Sequence, residues 1–167
     1  MVNNFYLRKN RWCVLWKRSK ILVIDDDEYI LESVKEILSH AGYLVHTAKS
    51  GQEALTKLKD RVYNLLLVDI VLPDIEGLDL IERLTDTLPK MRKVIITGYA
   101  SLENALRALS LGASAFIMKP ISPKDLLGVV EKELKSQREE LKDLQENMAE
   151  YIRNETKKYE RMDESRG

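Results

Sequence analysis

Five side chains in this sequence are of types that could do chemistry together: Asp25, Asp26, Asp69, Thr97 and Lys119, with Asp27 next to the first pair. Carboxylates brought into one cleft repel each other unless a cation neutralises them. Hard carboxylate oxygens suit Mg2+, which takes few protein ligands and keeps several waters. A lysine and a hydroxyl beside such a metal could hold an anion, and a phosphoryl group satisfies all of these partners. A carboxylate can itself attack phosphorus to give an aspartyl phosphate. The metal and the lysine would then stabilise the equatorial oxygens during transfer. Taken singly each residue has a plainer role: Asp27 as a helix cap, Thr97 as a turn residue, Lys119 as a solvated charge. The joint arrangement carries the chemical reading.

That arrangement requires elements that deliver the residues to one place. Ile21–Ile24 is a short continuous apolar run, as in a strand buried on both faces, and Asp25–Asp27 follow it. Tyr29, Ile30, Val34, Ile37 and Leu38 have helical spacing, and Gly42 stands where a left-handed helix terminus favours glycine. Tyr43–Thr47 reads as a second strand. Ser50 and Glu53 form a capping box for the next helix. Leu65–Val68 is a third strand ending at Asp69, and Pro73 and Gly77 punctuate the loop behind it. A helix over Leu78–Leu84 and a strand over Val94–Ile96, ending at Thr97, come next. A helix then runs from Ser101 to Gly112. Ala115–Met118 is the fifth strand, delivering Lys119 and Pro120. Ser122 caps a last helix, with Pro123 at its first position. Alternating strands and helices argue for a parallel sheet covered on both faces, whose ligands bind at the carboxyl ends of the strands. Four of the five strands deliver a polar or charged residue at that end.

Composition bounds the remaining possibilities. The chain has 167 residues, enough for one domain and an appendage. Lys plus Arg and Asp plus Glu both number 27, so there is no bulk electrostatic case for binding nucleic acid. Cys13 is the only cysteine, which fits a reducing compartment. No apolar run approaches the roughly 20 residues that span a bilayer. Residues 1–19 are basic and aromatic, with charges around Val14–Trp16 that break any signal-peptide core, so a cytoplasmic location is expected. His40 and His46 lie away from the strand ends and read as ordinary partly exposed residues.

The strings ILVIDDDE, LLLVDIVLPDIEG, VIITGYAS and GASAFIMKPIS, spread over nearly all of residues 20–133, resemble the receiver domain of two-component response regulators. The resemblance implies a flavodoxin-like, doubly wound α/β fold with a five-stranded parallel sheet in the order 2-1-3-4-5. It implies Asp69 as phosphoacceptor and a sensor histidine kinase as phosphodonor. Mg2+ would be bound by Asp25, Asp26, Asp69 and the backbone carbonyl of Val71. Thr97 and Lys119 would contact the phosphoryl group, and Lys119–Pro120 would be cis. Phe116 matches the aromatic position that turns inward on activation, changing the face made by the fourth helix, fifth strand and fifth helix. Val71 and Tyr99 stand where such domains tune the attack of water, and their types imply slow loss of the phosphoryl group. The chain would be a regulatory phosphoacceptor rather than a classical enzyme. A haloacid dehalogenase-type phosphotransferase would place a second Asp where Val71 stands. A nucleotide-binding domain would show a GxGxxG or P-loop, and neither is present.

The expected organisation is an extension at 1–19, the receiver at 20–135, and a charged helical extension at 136–167. After Gly128, no proline or glycine interrupts the chain until Gly167. Leu127, Val130, Leu134, Leu141, Leu144, Met148 and Tyr151 keep a three–four spacing with Gln137 as the one gap, a seam of roughly three heptads. A helix from 123 to 160 would reach on the order of 55 Å. Homodimerisation through 127–151, or connection to another partner, follows as the expectation. With no output module recognisable here, direct nucleic-acid binding is not expected. The alternative is a scaffold acting through the coil alone.

Overall fold

The computed structural model describes residues 19–84, 90–98 and 101–164, with side chains described up to Thr156. The extension at 1–18 and Tyr99 therefore lie outside the described residues. Strands β1 (Lys20–Ile24), β2 (Leu44–Ala48), β3 (Leu65–Asp69), β4 (Arg92–Thr97) and β5 (Ala115–Met118) alternate with helices α1 (Glu28–His40), α2 (Gly51–Asp60), α3 (Gly77–Glu82), α4 (Leu102–Ser110) and α5 (Pro123–Glu164). The strands form one parallel sheet in the order β2-β1-β3-β4-β5. This is the doubly wound fold the sequence implied, with strand ends shifted by one or two residues.

Alternation along the buried strands splits the core in two. Leu22, Ile24, Leu66, Val68 and Ile95 face α2, α3 and α4, where Ala54, Leu78, Ile81 and Ala108 meet them. Ile21, Val23, Leu65, Leu67, Val94 and Ile96 face α1 and α5, packing on Leu31, Val34, Leu38, Leu126, Val130 and Leu134. Burying the last three side chains contributes about 1.5–3 kcal/mol each, enough to dock the start of α5 firmly.

The helix starts are set by the expected caps. Asp27 accepts from the N–H of Tyr29 at 2.8 Å. Ser50 caps α2 through the N–H of Glu53 at 3.2 Å. Ser101 caps α4 through the N–H of Asn104 at 3.1 Å. Gly42 and Gly112 take φ of 94° and 82°, the left-handed conformation that glycine adopts without strain.

The α5 helix corrects the seam reading. Val130 and Leu134 are fully buried against the sheet, so they are not open to a second helix. Gln137 is not a weak point in a seam but a buried polar group, 3% exposed. The helix keeps touching the domain as far as Glu140, which pairs with Arg92 of β4 at 2.6 Å. A division at 135 thus falls inside the packed segment. Leu144, Met148, Tyr151 and Ile152 beyond it are exposed. At 3.6 residues per turn, these four and the buried set Leu126, Val130, Leu134 and Gln137 all fall within one arc of roughly 100°. The bare stripe therefore continues the face that the chain's own sheet covers higher up.

Candidate functional site

Each strand of the central three ends in a residue of the candidate site. Asp25 follows β1, Asp69 closes β3 and Thr97 closes β4, with respectively 1%, 6% and 1% of their surfaces exposed. Asp26 beside them is open to solvent. Lys119 follows β5, and its N–H donates to the carbonyl of Thr97 at 2.9 Å, holding the two strand tips together. The Lys119–Pro120 peptide is cis, as the resemblance implied.

The ammonium of Lys119 bridges the two buried carboxylates. Its Nζ lies 2.5 Å from Asp69 Oδ2 and 2.7 Å from Asp25 Oδ2. Asp25 Oδ1 accepts from the N–H of Asp27 at 2.9 Å, and Asp69 Oδ1 from the N–H of Val71 at 3.2 Å. The second oxygen of Asp25 is close to the ammonium but makes no aligned hydrogen bond. Burial pushes the Asp25 carboxyl above its ordinary 3.8, against the lowering effect of Lys119 and the Asp27 N–H, while the Asp69 charge adds to the rise. Burial also works against the charge on Lys119, but its pairing with the Asp25 and Asp69 carboxylates outweighs it and raises the ammonium above 10.5. One lysine is thus asked to neutralise two buried carboxylates, with a third, Asp26, alongside.

Carboxylate oxygens of Asp25, Asp26 and Asp69 lie within 4.8 Å of one another. An all-oxygen donor set with one buried oxygen lacking a directed hydrogen bond fits a hard divalent cation such as Mg2+. The backbone of Val71 is at the rim of this cluster, and its side chain is 65% exposed. Phe116 sits on β5, half-buried on the α4 side of the sheet and opposite Ile95 of β4.

Three supporting features were not read as such from the sequence. A Cβ on Gly77 would lie 1.9 Å from the Asp69 carbonyl oxygen, and the Gly77 N–H donates to Ile70 O at 2.7 Å. Glycine here lets the start of α3 close against the backbone of Asp69, where the sequence showed only a loop punctuation. Asp74 reaches from the same loop to the N–H groups of Gly51 and Gln52 at 2.9 and 2.8 Å, tying it to the start of α2. Those bonds hold the Asp74 carboxyl below 3.8. Arg107 of α4 pairs with Glu76 at 2.8 Å and with Asp79, linking α4 to α3. The signal for Gly77 and Asp74 was spacing after Asp69, which becomes meaningful only once the loop is seen to fold back, whereas Arg107 finds its partners 31 and 28 residues away, where no local pattern marks them. His46 is also more engaged than expected, bonded to the Tyr63 hydroxyl at 2.9 Å and to Arg61 at 3.1 Å.

The pattern that defines the response regulator receiver domain matches residues 21–131. The chain is 34% identical over 117 residues to the alginate biosynthesis transcriptional regulatory protein AlgB of Pseudomonas putida, covering 70% of this chain and 26% of that one. It is also 34% identical to the DNA-binding transcriptional regulator NtrC of Azospirillum brasilense, over 70% of this chain and 24% of that one. The chain thus spans about a quarter of the length of these relatives. Among solved structures, a CheY-like receiver domain protein from Methanospirillum hungatei matches with a TM-score of 0.68 and 44% identity, over 74% of this chain and 98% of that one. NtrX from Brucella abortus matches with a TM-score of 0.69 and 34% identity, over 76% and 30% respectively. The expectation of no direct nucleic-acid binding runs against the relatives, which are transcriptional regulators by name and include one named as DNA-binding. No helix among the described residues is long and apolar enough to cross a membrane.

Proposed function

Because this chain belongs to the response regulator receiver domain family, we propose that it is a phosphorelay switch in which Asp69 accepts a phosphoryl group from a sensor histidine kinase. The observation that carries this reading is the Lys119 bridge between two buried carboxylates, one of which keeps an oxygen without an aligned hydrogen bond. Asp25, Asp26, Asp69 and the Val71 carbonyl would hold Mg2+, which supplies positive charge to the oxygens of the phosphoryl group. An Asp69 carboxylate oxygen attacks phosphorus as the bond from phosphorus to the donor nitrogen breaks. The donor imidazole leaves with its electron pair and takes up a proton. Lys119 gives up part of its hold on Asp69 to meet the new dianion, and Thr97, at the neighbouring strand tip, donates its hydroxyl to it.

The response is a shift between two packings of the face formed by α4, β5 and α5. Movement of Thr97 toward the phosphoryl group vacates space for Phe116. Since the relatives are transcriptional regulators by name, the proposed output is control of transcription, reached through a partner engaged by that face or by the α5 extension. A cytoplasmic location belongs to the same reading. Pairing of two copies is narrowed to residues after Glu140, because the earlier part of the expected seam is packed on its own domain. The scaffold reading draws on one observation, the bare stripe at Leu144–Ile152. The two readings part on chemistry. Borohydride reduction of protein treated with acetyl phosphate and Mg2+ should convert residue 69, and no other aspartate, to homoserine. Conversion at another position, or at none, contradicts the assignment of Asp69.

A further inference from the structure

The buried glutamine of α5 has a set of partners that reaches the roots of three strands of the sheet. A side chain only 3% exposed is stable in that place when its amide groups are met, and those of Gln137 are. Its Nε2 donates to the carbonyls of Asn64 at 2.9 Å and Lys90 at 2.8 Å. Its Oε1 accepts from Asn64 Nδ2 at 3.4 Å. Asn64 in turn accepts from the N–H of Lys20 at 2.9 Å and donates its own N–H to the Lys20 carbonyl at 2.8 Å. Asn64 immediately precedes β3, Lys90 comes two residues before β4, and Lys20 opens β1. These are the roots of the three strands whose tips carry Asp69, Thr97 and Asp25. One turn further along α5, Glu140 pairs with Arg92, the first residue of β4, at 2.6 Å.

An apolar residue at position 137 would have served burial as well, but apolar packing is non-directional and lets a helix turn or slide. Two hydrogen bonds from one amide nitrogen to the roots of two different strands do not. Strands are stiff, and Asn64 and Asp69 are joined by a single strand about 17 Å long. A shift of β4 against β3, driven at the tips, changes the relative positions of the two carbonyls that share Gln137 Nε2. Beyond the anchor, the helix runs from 141 to 164, a lever of about 36 Å, and among its described side chains all but the half-buried Leu141 and Glu155 are exposed.

We propose that Gln137 is a positioning residue that sets the direction of the α5 extension from the roots of β3 and β4, so that the state of Asp69 is read out as the direction of this helix. The inference rests on the reading of Asp69 as phosphoacceptor. It gives the bare stripe at Leu144–Ile152 a purpose: an apolar face whose position relative to the receiver is held by two strand roots.

The test uses the full chain with Cys13→Ser, Lys35→Cys and Met148→Cys, spin-labelled at the two new cysteines, one on α1 and one on the extension. Distances are measured with Mg2+, with and without acetyl phosphate, and intact mass is recorded on the same samples. The expected result is a narrow distribution that shifts with the gain of phosphoryl mass. Gln137→Leu should gain the same mass yet show a distribution about twofold wider, with the shift lost, since an amide that clamped two strands has gone. Glu140→Gln, which removes only an exposed carboxylate partner, should widen the distribution less and keep the shift. A Gln137→Leu protein with the wild-type width and shift overturns the proposal, as does a wild-type protein that gains mass with no shift. Should Gln137→Leu fail to fold, Glu140→Gln decides: no widening overturns the anchoring. Absence of mass gain in wild type instead overturns the reading of Asp69, and with it the readout, while the width still tests the anchor.

Discussion

The two ends of the sheet handle buried polar groups in opposite ways. At the strand tips, Asp25 and Asp69 share one ammonium and an Asp25 oxygen is left without an aligned hydrogen bond. At the strand roots, Gln137 and Asn64 have their amide groups met. Burying charge with incomplete compensation works against stability, and a cluster that does so is poised for a ligand that completes it. A neutral network with its partners in place fixes geometry. On the proposed reading, the same sheet carries a site for a cation and a phosphoryl group at one end and a finished joint at the other.

Substitutions can break or sharpen that contrast. The largest effect is expected from Lys119→Ala, which removes the cation that bridges Asp25 and Asp69: phosphoryl acceptance from acetyl phosphate should fall by about 10²-fold or more, measured as initial rate by intact mass. Gly77→Ala places a methyl group against the Asp69 carbonyl oxygen, and should lower unfolding free energy by about 2–3 kcal/mol in urea titration and slow acceptance as well. The next two changes should have opposite signs. Gln137→Leu should destabilise by about 1–2 kcal/mol, because the Lys90 carbonyl is left without its donor, and should leave the acceptance rate unchanged. Asp25→Asn removes a buried charge from the tips and should stabilise the Mg2+-free protein by about 1 kcal/mol, while abolishing the upward shift in melting temperature that Mg2+ should give the wild type. Destabilisation by Asp25→Asn without Mg2+ would break the comparison.

The smallest expected effect lies outside both ends. Burial, then Arg61, Lys57, Lys20 and Lys35, hold His46 below its ordinary 6.5. The unfolded chain then binds a proton more readily than the fold, so stability should drop as pH falls below 6.5 and through the lower folded-state value. Thermal melting across that range should show the drop, and His46→Gln should flatten it.

The meeting of Asp25, Asp69 and Lys119 at the tips was legible in the sequence because it follows from residue types at strand ends. Short apolar runs located the strands, and a parallel sheet has only one end at which Asp25, Asp69, Thr97 and Lys119 can meet. Caps at Asp27, Ser50 and Ser101 were legible for a local reason, since each bonds to an N–H two or three residues away. The roots were not legible. Gln137 reaches Asn64 across 73 residues, and no local pattern announces such a pair. Its position in a three–four spacing made it read as a flaw in a coiled-coil seam, because a helix face covered by its own sheet and one covered by a second helix have the same periodicity. Gly77 was visible as a turn residue, but its near contact with the Asp69 backbone depends on how the loop folds back.

The most direct test of the central claim is the intact mass of the protein after acetyl phosphate and Mg2+, compared with Asp69→Asn and with a chelated sample. One phosphoryl mass added to the wild type, and to neither of the others, is the predicted result. No addition to the wild type, or an equal addition to Asp69→Asn, would contradict the assignment of the strand tips as a phosphoacceptor site.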